Sequence, residues 1–189
     1  MMTTLQPRKK LRLPEYDYSW PGWYYVTVCT RDREPLFGQI VDDHMVLNHI
    51  GRIVEEEWLK TPLIRKNVAL DDYVIMPNHL HGIVIINDAI VGATRRVAPT
   101  EGHPKLRSAS LGAILGQFKS IATKRARKEC LLSDRSLWQR GYYDHVIRND
   151  ADLHRIREYI ATNPRRWALD KENPVNTQKE ASPSRVLAQ

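Results

Sequence analysis

Cysteine is scarce in this sequence: Cys29 and Cys130 are the two in 189 residues, too few and too far apart for a disulfide framework or a thiolate zinc site. Both read as free thiols. A long apolar run is missing too. Nothing approaches the roughly 18 residues that a membrane helix needs, and the opening stretch MMTTLQPRKKLRLPEYDYSW carries no apolar segment of the secretory kind. The expectation is a cytoplasmic protein. Low-complexity composition is absent as well: 42% of residues are hydrophobic and 27% charged, which excludes global disorder, and 189 residues suit one domain with modest tails. What the chain does have is positive charge. Lys and Arg number 29 against 22 Asp and Glu, a net +7, so a polyanion, nucleic acid first, is the partner to weigh against charge that only keeps the protein soluble.

Periodicity places the elements. The run WYYVTVCT at 23–30 is dense in aromatic and β-branched residues and predicts a strand buried on both faces. Apolar residues at three- and four-residue steps predict a helix over 46–60, capped by Asn48. Strand-like runs at 68–76 and 79–86, separated only by Pro77-Asn78, predict an antiparallel hairpin. After it, residues 87–109 lose all period and read as a long mobile connection. A helix over 111–128 follows, with an apolar stripe and a basic C-terminal half, then a strand within 138–147 and a helix over 150–162 stopped by Asn163-Pro164. The domain expectation is a basic N-terminal arm at 1–20, a catalytic domain at 21–168, and a disordered tail at 169–189. The order β-α-β-β-α-β plus a helix is that of an α+β, ferredoxin-like (split βαβ) antiparallel sheet with helices on one face.

Two constellations carry chemistry. His79 and His81 alternate around Leu80 in a strand, so they project to one face and can hold a divalent cation together; a solvated strand edge would show the same alternation. Tyr159 and Asn163 are four residues apart on a helix and share a face, which presents a phenol beside an amide. Core packing and an ordinary helix stop would also account for that pair.

Taken jointly and in order, these segments resemble a known family. Pro77-Asn78-His79-Leu80-His81 resembles the two-histidine HUH motif of the IS200-like single-tyrosine transposases. The stretch 157–164, REYIATNP, is similar to their tyrosine-bearing helix in the branch associated with repetitive extragenic palindromes (REP), as is WQRGYYDHVIRN at 138–149. The likeness spans about residues 11–167. It implies a ferredoxin-like core, His79 and His81 as metal ligands, Tyr159 as nucleophile, and Asn163 as the third ligand, where the best-known insertion-sequence members carry Gln. The implied activity is that of a transposase and nuclease dependent on Mg2+ or Mn2+. It would nick and rejoin single-stranded DNA beside a hairpin through a 5′-phosphotyrosine, acting as a monomer rather than a homodimer. The alternative from a different class is a non-catalytic hairpin DNA or RNA binder on the same fold.

The chemistry needs these groups. A cation at a phosphodiester withdraws negative charge and orients in-line attack, and a phenol with an ordinary pKa near 10 needs help to ionise at neutral pH. For DNA contact the candidates are Arg8, Lys9, Lys10 and Arg12 in the arm, Lys119, Lys124, Arg125, Arg127 and Lys128 on the basic helix, and Arg140 and Arg148 around the last strand. Tyr16, Tyr18, Trp20, Trp23 and Tyr24 are candidates for stacking on bases, and His145 for an active-site neighbour.

Overall fold

The computed structural model describes residues 16–88, 110–129, 131–132, 135–170, 172–174 and 176. Arg8, Lys9, Lys10 and Arg12 lie outside them, as do Cys130, residues 89–109 of the long connection and most of the tail.

The apolar run predicts an interior strand, and β1 (Gly22–Cys29) takes an interior place in a four-stranded antiparallel sheet. Two further strands, β2 (Gly38–Val41) and β3 (His44–Leu47), form a separate hairpin before the helix α1 (His49–Leu59) and the single turn α2 (Thr61–Ile64). The central hairpin is β4 (Val68–Met76) and β5 (His79–Ile86), followed by helix α3 (Leu111–Lys128), β6 (Tyr143–Ile147) and helix α4 (Asp150–Arg166). Sheet order is β4-β5-β1-β6, which is the split βαβ arrangement of an α+β fold. Among the described residues no helix is long and apolar enough to cross a membrane.

Strand alternation sorts the side chains onto two faces. Tyr24, Val26, Val28, Leu80 and Val84 meet Trp58 of α1 and Ile114, Leu115 and Phe118 of α3 in the larger core. Tyr25, Ile83 and Ile147 point the other way and meet Ile156 and Ile160 of α4. So helices cover both faces, not one, and α4 lies over the face that carries the histidines. The bidentate bonds from Arg157 to Asp71, 2.8 and 2.6 Å, tie that helix to β4.

Several boundaries differ from the sequence expectation. Val46 and Leu47 belong to β3 and α1 starts at His49, after Asn48 whose side chain accepts from the Gly51 amide at 2.9 Å. The tight turn before β3 places both Asp42 and Asp43 at positive φ, 47° and 63°, and lacks the glycine that usually signals it. The last strand shortens to 143–147, with Trp138 left as a single bridge to Thr30. Helix α4 continues through Asn163-Pro164 to Arg166: a proline this near the end costs one helix hydrogen bond, and burial of Asn163 holds the turn. The chain stays on the core past residue 168, since Glu172 and Asn173 are buried and Asn78 Nδ2 donates to the Glu172 carbonyl at 2.7 Å. At the other end, Tyr18 and Tyr24 are core residues, Tyr16 packs against them, and only Trp20 of the aromatic candidates stands well exposed, at 60%.

Gly82 sits between the histidine strand's neighbours with the Trp58 indole 2.6 Å from where a Cβ would be. Trp58 is fully buried and cannot swing aside. Gly82→Ala should therefore lower stability by about 1–3 kcal/mol through overpacking, read as a shift in urea midpoint. An unchanged midpoint would show that the indole has room to move.

Candidate functional site

The period of β5 sets His79 and His81 side by side, both buried, on the face under α4. Their Nε2 atoms face each other at 2.9 Å. Asn78 spends its Nδ2 on the carbonyls of Arg33 and Glu172, so its Oδ1 faces His79 Nδ1 at 2.8 Å and can only accept. His79 therefore carries its proton on Nδ1 and turns the Nε2 lone pair toward its neighbour. His81 Nδ1 meets the Tyr25 hydroxyl at 2.7 Å and the Thr27 hydroxyl at 2.9 Å. Hydroxyls donate or accept, so this pair serves either tautomer of His81, with Nε2 protonated toward His79 or bare toward a cation.

Burial first, and the positive charge of Arg33 second, push the His79 pKa down to about 3. The unfolded imidazole takes up its proton near 6.5 as pH falls, while the folded one stays neutral until near 3. The metal-free fold thus loses stability on acidification through that window. Urea midpoints compared at about pH 7 and about pH 5 should drop for the wild type and drop less for His79→Asn. An equal drop would place the acid sensitivity elsewhere.

Tyr159 on α4 brings its hydroxyl to 3.4 Å from His81 Nε2. Burial and the nearby Asp170 carboxylate raise its pKa above the ordinary phenol value. One turn on, Asn163 is buried inside the helix, not at a free end, and its Oδ1 has no hydrogen-bond partner. Asp170, just past a 3₁₀ turn at Trp167–Leu169, offers a carboxylate oxygen that lies with the two imidazole nitrogens inside a 4.8 Å set. Two facing imidazoles and a carboxylate oxygen fit a divalent cation with mixed nitrogen and oxygen ligands, and the orphaned Asn163 oxygen, one turn beyond Tyr159, is a buried oxygen donor without a partner of its own. Sequence reasoning missed Asp170, Tyr25 and Thr27. Asp170 follows no periodic pattern, whereas Tyr25 and Thr27 are legible only once Thr27 is known to pair with His81.

A cavity of about 710 Å3 opens over this face, lined by His81, Tyr159, Tyr25, Tyr142, Tyr143 and His145 among others. His145 is held by Asp152, Nε2 to Oδ2 at 2.7 Å. A second, wider groove of about 1260 Å3 carries Arg31, Arg33, Lys124, Arg127 and Arg140. Lys119 lines it too, but its ammonium donates to the carbonyls of Gln139 and Gly141 at 2.7 and 3.0 Å and so clamps that loop. Arg125 is turned to Glu56, Glu57 and Glu129 instead of the groove. Lys128 and Arg148 are exposed and line neither cavity.

No protein-family model matches the chain. An uncharacterized protein of Haemophilus influenzae is 38% identical over 167 residues, covering 87% of this chain and 92% of that protein. Among solved structures, that of a REP-associated tyrosine transposase bound to a REP hairpin is similar with a TM-score of 0.55 and 19% identity, over 85% of this chain and 76% of that chain. At that identity the likeness is one of fold. The chain shares its fold with that tyrosine transposase and belongs to the same protein family as the Haemophilus influenzae protein.

Proposed function

We propose that the chain is a metal-dependent transposase that nicks and rejoins single-stranded DNA next to a hairpin, through a 5′-phosphotyrosine at Tyr159. One observation carries this reading: a phenol 3.4 Å from a buried pair of facing histidines, at the wall of an open cavity that adjoins a basic groove. His79 and His81, with Asp170 and Asn163 as oxygen donors, would hold Mg2+ or Mn2+, which supplies charge withdrawal at the scissile phosphate. The Tyr159 oxygen bonds phosphorus, the bond from phosphorus to the 3′ oxygen breaks, and the proton lost by the phenol is recovered by the departing 3′ hydroxyl. The phosphodiester energy stays in the new ester, so rejoining needs no nucleotide triphosphate.

His145, held by Asp152 and lining the same cavity, would carry protons in this reading. Lys124, Arg127 and Arg140 supply the phosphate surface near the site, with Lys128 and Arg148 further out and Arg8, Lys9, Lys10 and Arg12 from the arm. Tyr159 meets the histidine pair of its own chain, and the reading takes the chain to act as a monomer. The hairpin partner is supported by the likeness of the motifs and by the fold shared with a transposase bound to a REP hairpin.

The test is incubation of a labelled DNA hairpin with single-stranded flanks in Mg2+ or Mn2+, with a denaturation-resistant protein adduct as the expected product. Tight binding without adduct would make the chain a hairpin-binding protein. Cleavage without adduct, surviving Tyr159→Phe, would make it a metal-dependent hydrolase.

A further inference from the structure

The turn after β1, residues 31–33, passes through the left-handed region at Asp32 and Arg33, with φ of 53° and 57° and no glycine to favour it. Such backbone persists where contacts over-determine it. Here the Arg33 carbonyl accepts from Asn78 Nδ2 at 2.9 Å, and the Arg31 amide donates to the Leu137 carbonyl at 3.0 Å. Thr30 Oγ1 donates to the carbonyls of Asn78 and Glu34. Asn78 is also the residue whose Oδ1 fixes the tautomer of His79, so one buried amide sets both the Arg33 backbone and the orientation of the histidine.

That turn delivers a guanidinium to a particular place. Arg33 lines the tyrosine cavity and the basic groove alike, a position shared only with Gln139, Arg140 and Gly141 among the lining residues of the two. Its Nη1 lies 3.0 Å from Glu172 Oε2, and its side chain is 40% exposed. The Glu172 carboxylate marks where an oxyanion sits against this fork, and phosphate oxygens match the same donors. Lys119, the neighbouring cation, is already committed to loop carbonyls.

Resting on the strand-transfer reading above, we infer that Arg33 is a positioning residue. Its guanidinium takes the DNA phosphate that crosses from the basic groove into the tyrosine cavity, exchanging Glu172 for it. The substrate strand then runs along Lys124, Arg127 and Arg140 and turns at Arg33 toward Tyr159.

Labelled oligodeoxythymidylate is the binding probe, and the labelled hairpin reports adduct. Arg33→Gln should weaken oligodeoxythymidylate binding roughly tenfold or more at low salt. It should also reduce the slope of log affinity against log salt by about 0.7, the loss of one single-strand phosphate contact. Arg33→Lys, which keeps charge but not the fork, should recover the slope and part of the affinity. Glu172→Gln should tighten binding when Arg33 is present and change nothing when it is Gln. A merely structural role moves neither the slope nor that coupling, and Arg33→Lys together with Glu172→Gln in the wild-type background decides the matter even where Arg33→Gln folds poorly. Wild-type affinity and slope in a folded Arg33→Gln overturn the assignment. A reduced slope in a protein that never forms adduct upholds the Arg33 contact and overturns strand transfer instead.

Discussion

Tyr159→Phe should abolish the denaturation-resistant DNA adduct while hairpin affinity stays within about twofold of wild type, because phosphate contacts along the basic groove supply most of the binding. The loss is total, since no other atom on that ring can form the ester. Stability should change by about 1 kcal/mol: the ring keeps its place against Tyr25, Ile156 and Ile160, and the hydroxyl gives up a long contact to His81 together with its interactions with Asn163 and Tyr25. Adduct yield on denaturing gels, fluorescence anisotropy for affinity and a thermal melt separate these readouts. Full adduct formation by Tyr159→Phe would redirect attention to Tyr142 and Tyr143, which line the same cavity.

His79→Ala and His81→Ala should each remove both cleavage and tight Mn2+ binding. Loss of affinity should exceed the roughly 10–100-fold that follows when only a ligand's supporting hydrogen bond is removed. His81→Ala should also cost about 1–3 kcal/mol, because the buried Tyr25 and Thr27 hydroxyls lose their shared partner. Asp170→Ala should come next in severity, as an anionic oxygen is lost from the nitrogen pair, and Asn163→Ala last, because water can replace a neutral amide oxygen. Titration calorimetry with Mn2+ on the four folded variants gives the order. Wild-type metal affinity in His79→Ala would remove the histidine pair from the proposed centre.

The parts of this protein that sequence made legible are those set by local period. The hairpin at 68–76 and 79–86 and the helix at 111–128 have the bounds that alternation and 3.6-residue spacing predict, and the shared face of His79 and His81 needs only strand geometry. Tyr159 and Asn163 share a helix face for the same reason. The burial of Asn163 was hidden because a following proline reads as a stop, whereas α4 carries it inside the last turns. Asp170 and Arg33 were illegible for another reason. Each is brought to the histidines by a non-repetitive turn, held through Asn78 or by the residues after Trp167, and contacts between segments so far apart in sequence leave no periodic trace. Arg125 shows the converse: a basic stripe on a helix looks like a phosphate surface until three carboxylates are found against one of its members.

The central claim is a covalent bond between Tyr159 and a 5′ phosphate, and peptide mapping tests it most directly. Wild-type protein is reacted with hairpin DNA and Mn2+, then digested with nuclease and trypsin, and the peptides are sequenced by mass spectrometry. The account predicts a nucleotide 5′-phosphate on the tryptic peptide 158–165, at Tyr159, with a free 3′ hydroxyl on the released strand. Cleaved DNA that carries a free 5′ phosphate, with peptide 158–165 unmodified, would contradict it.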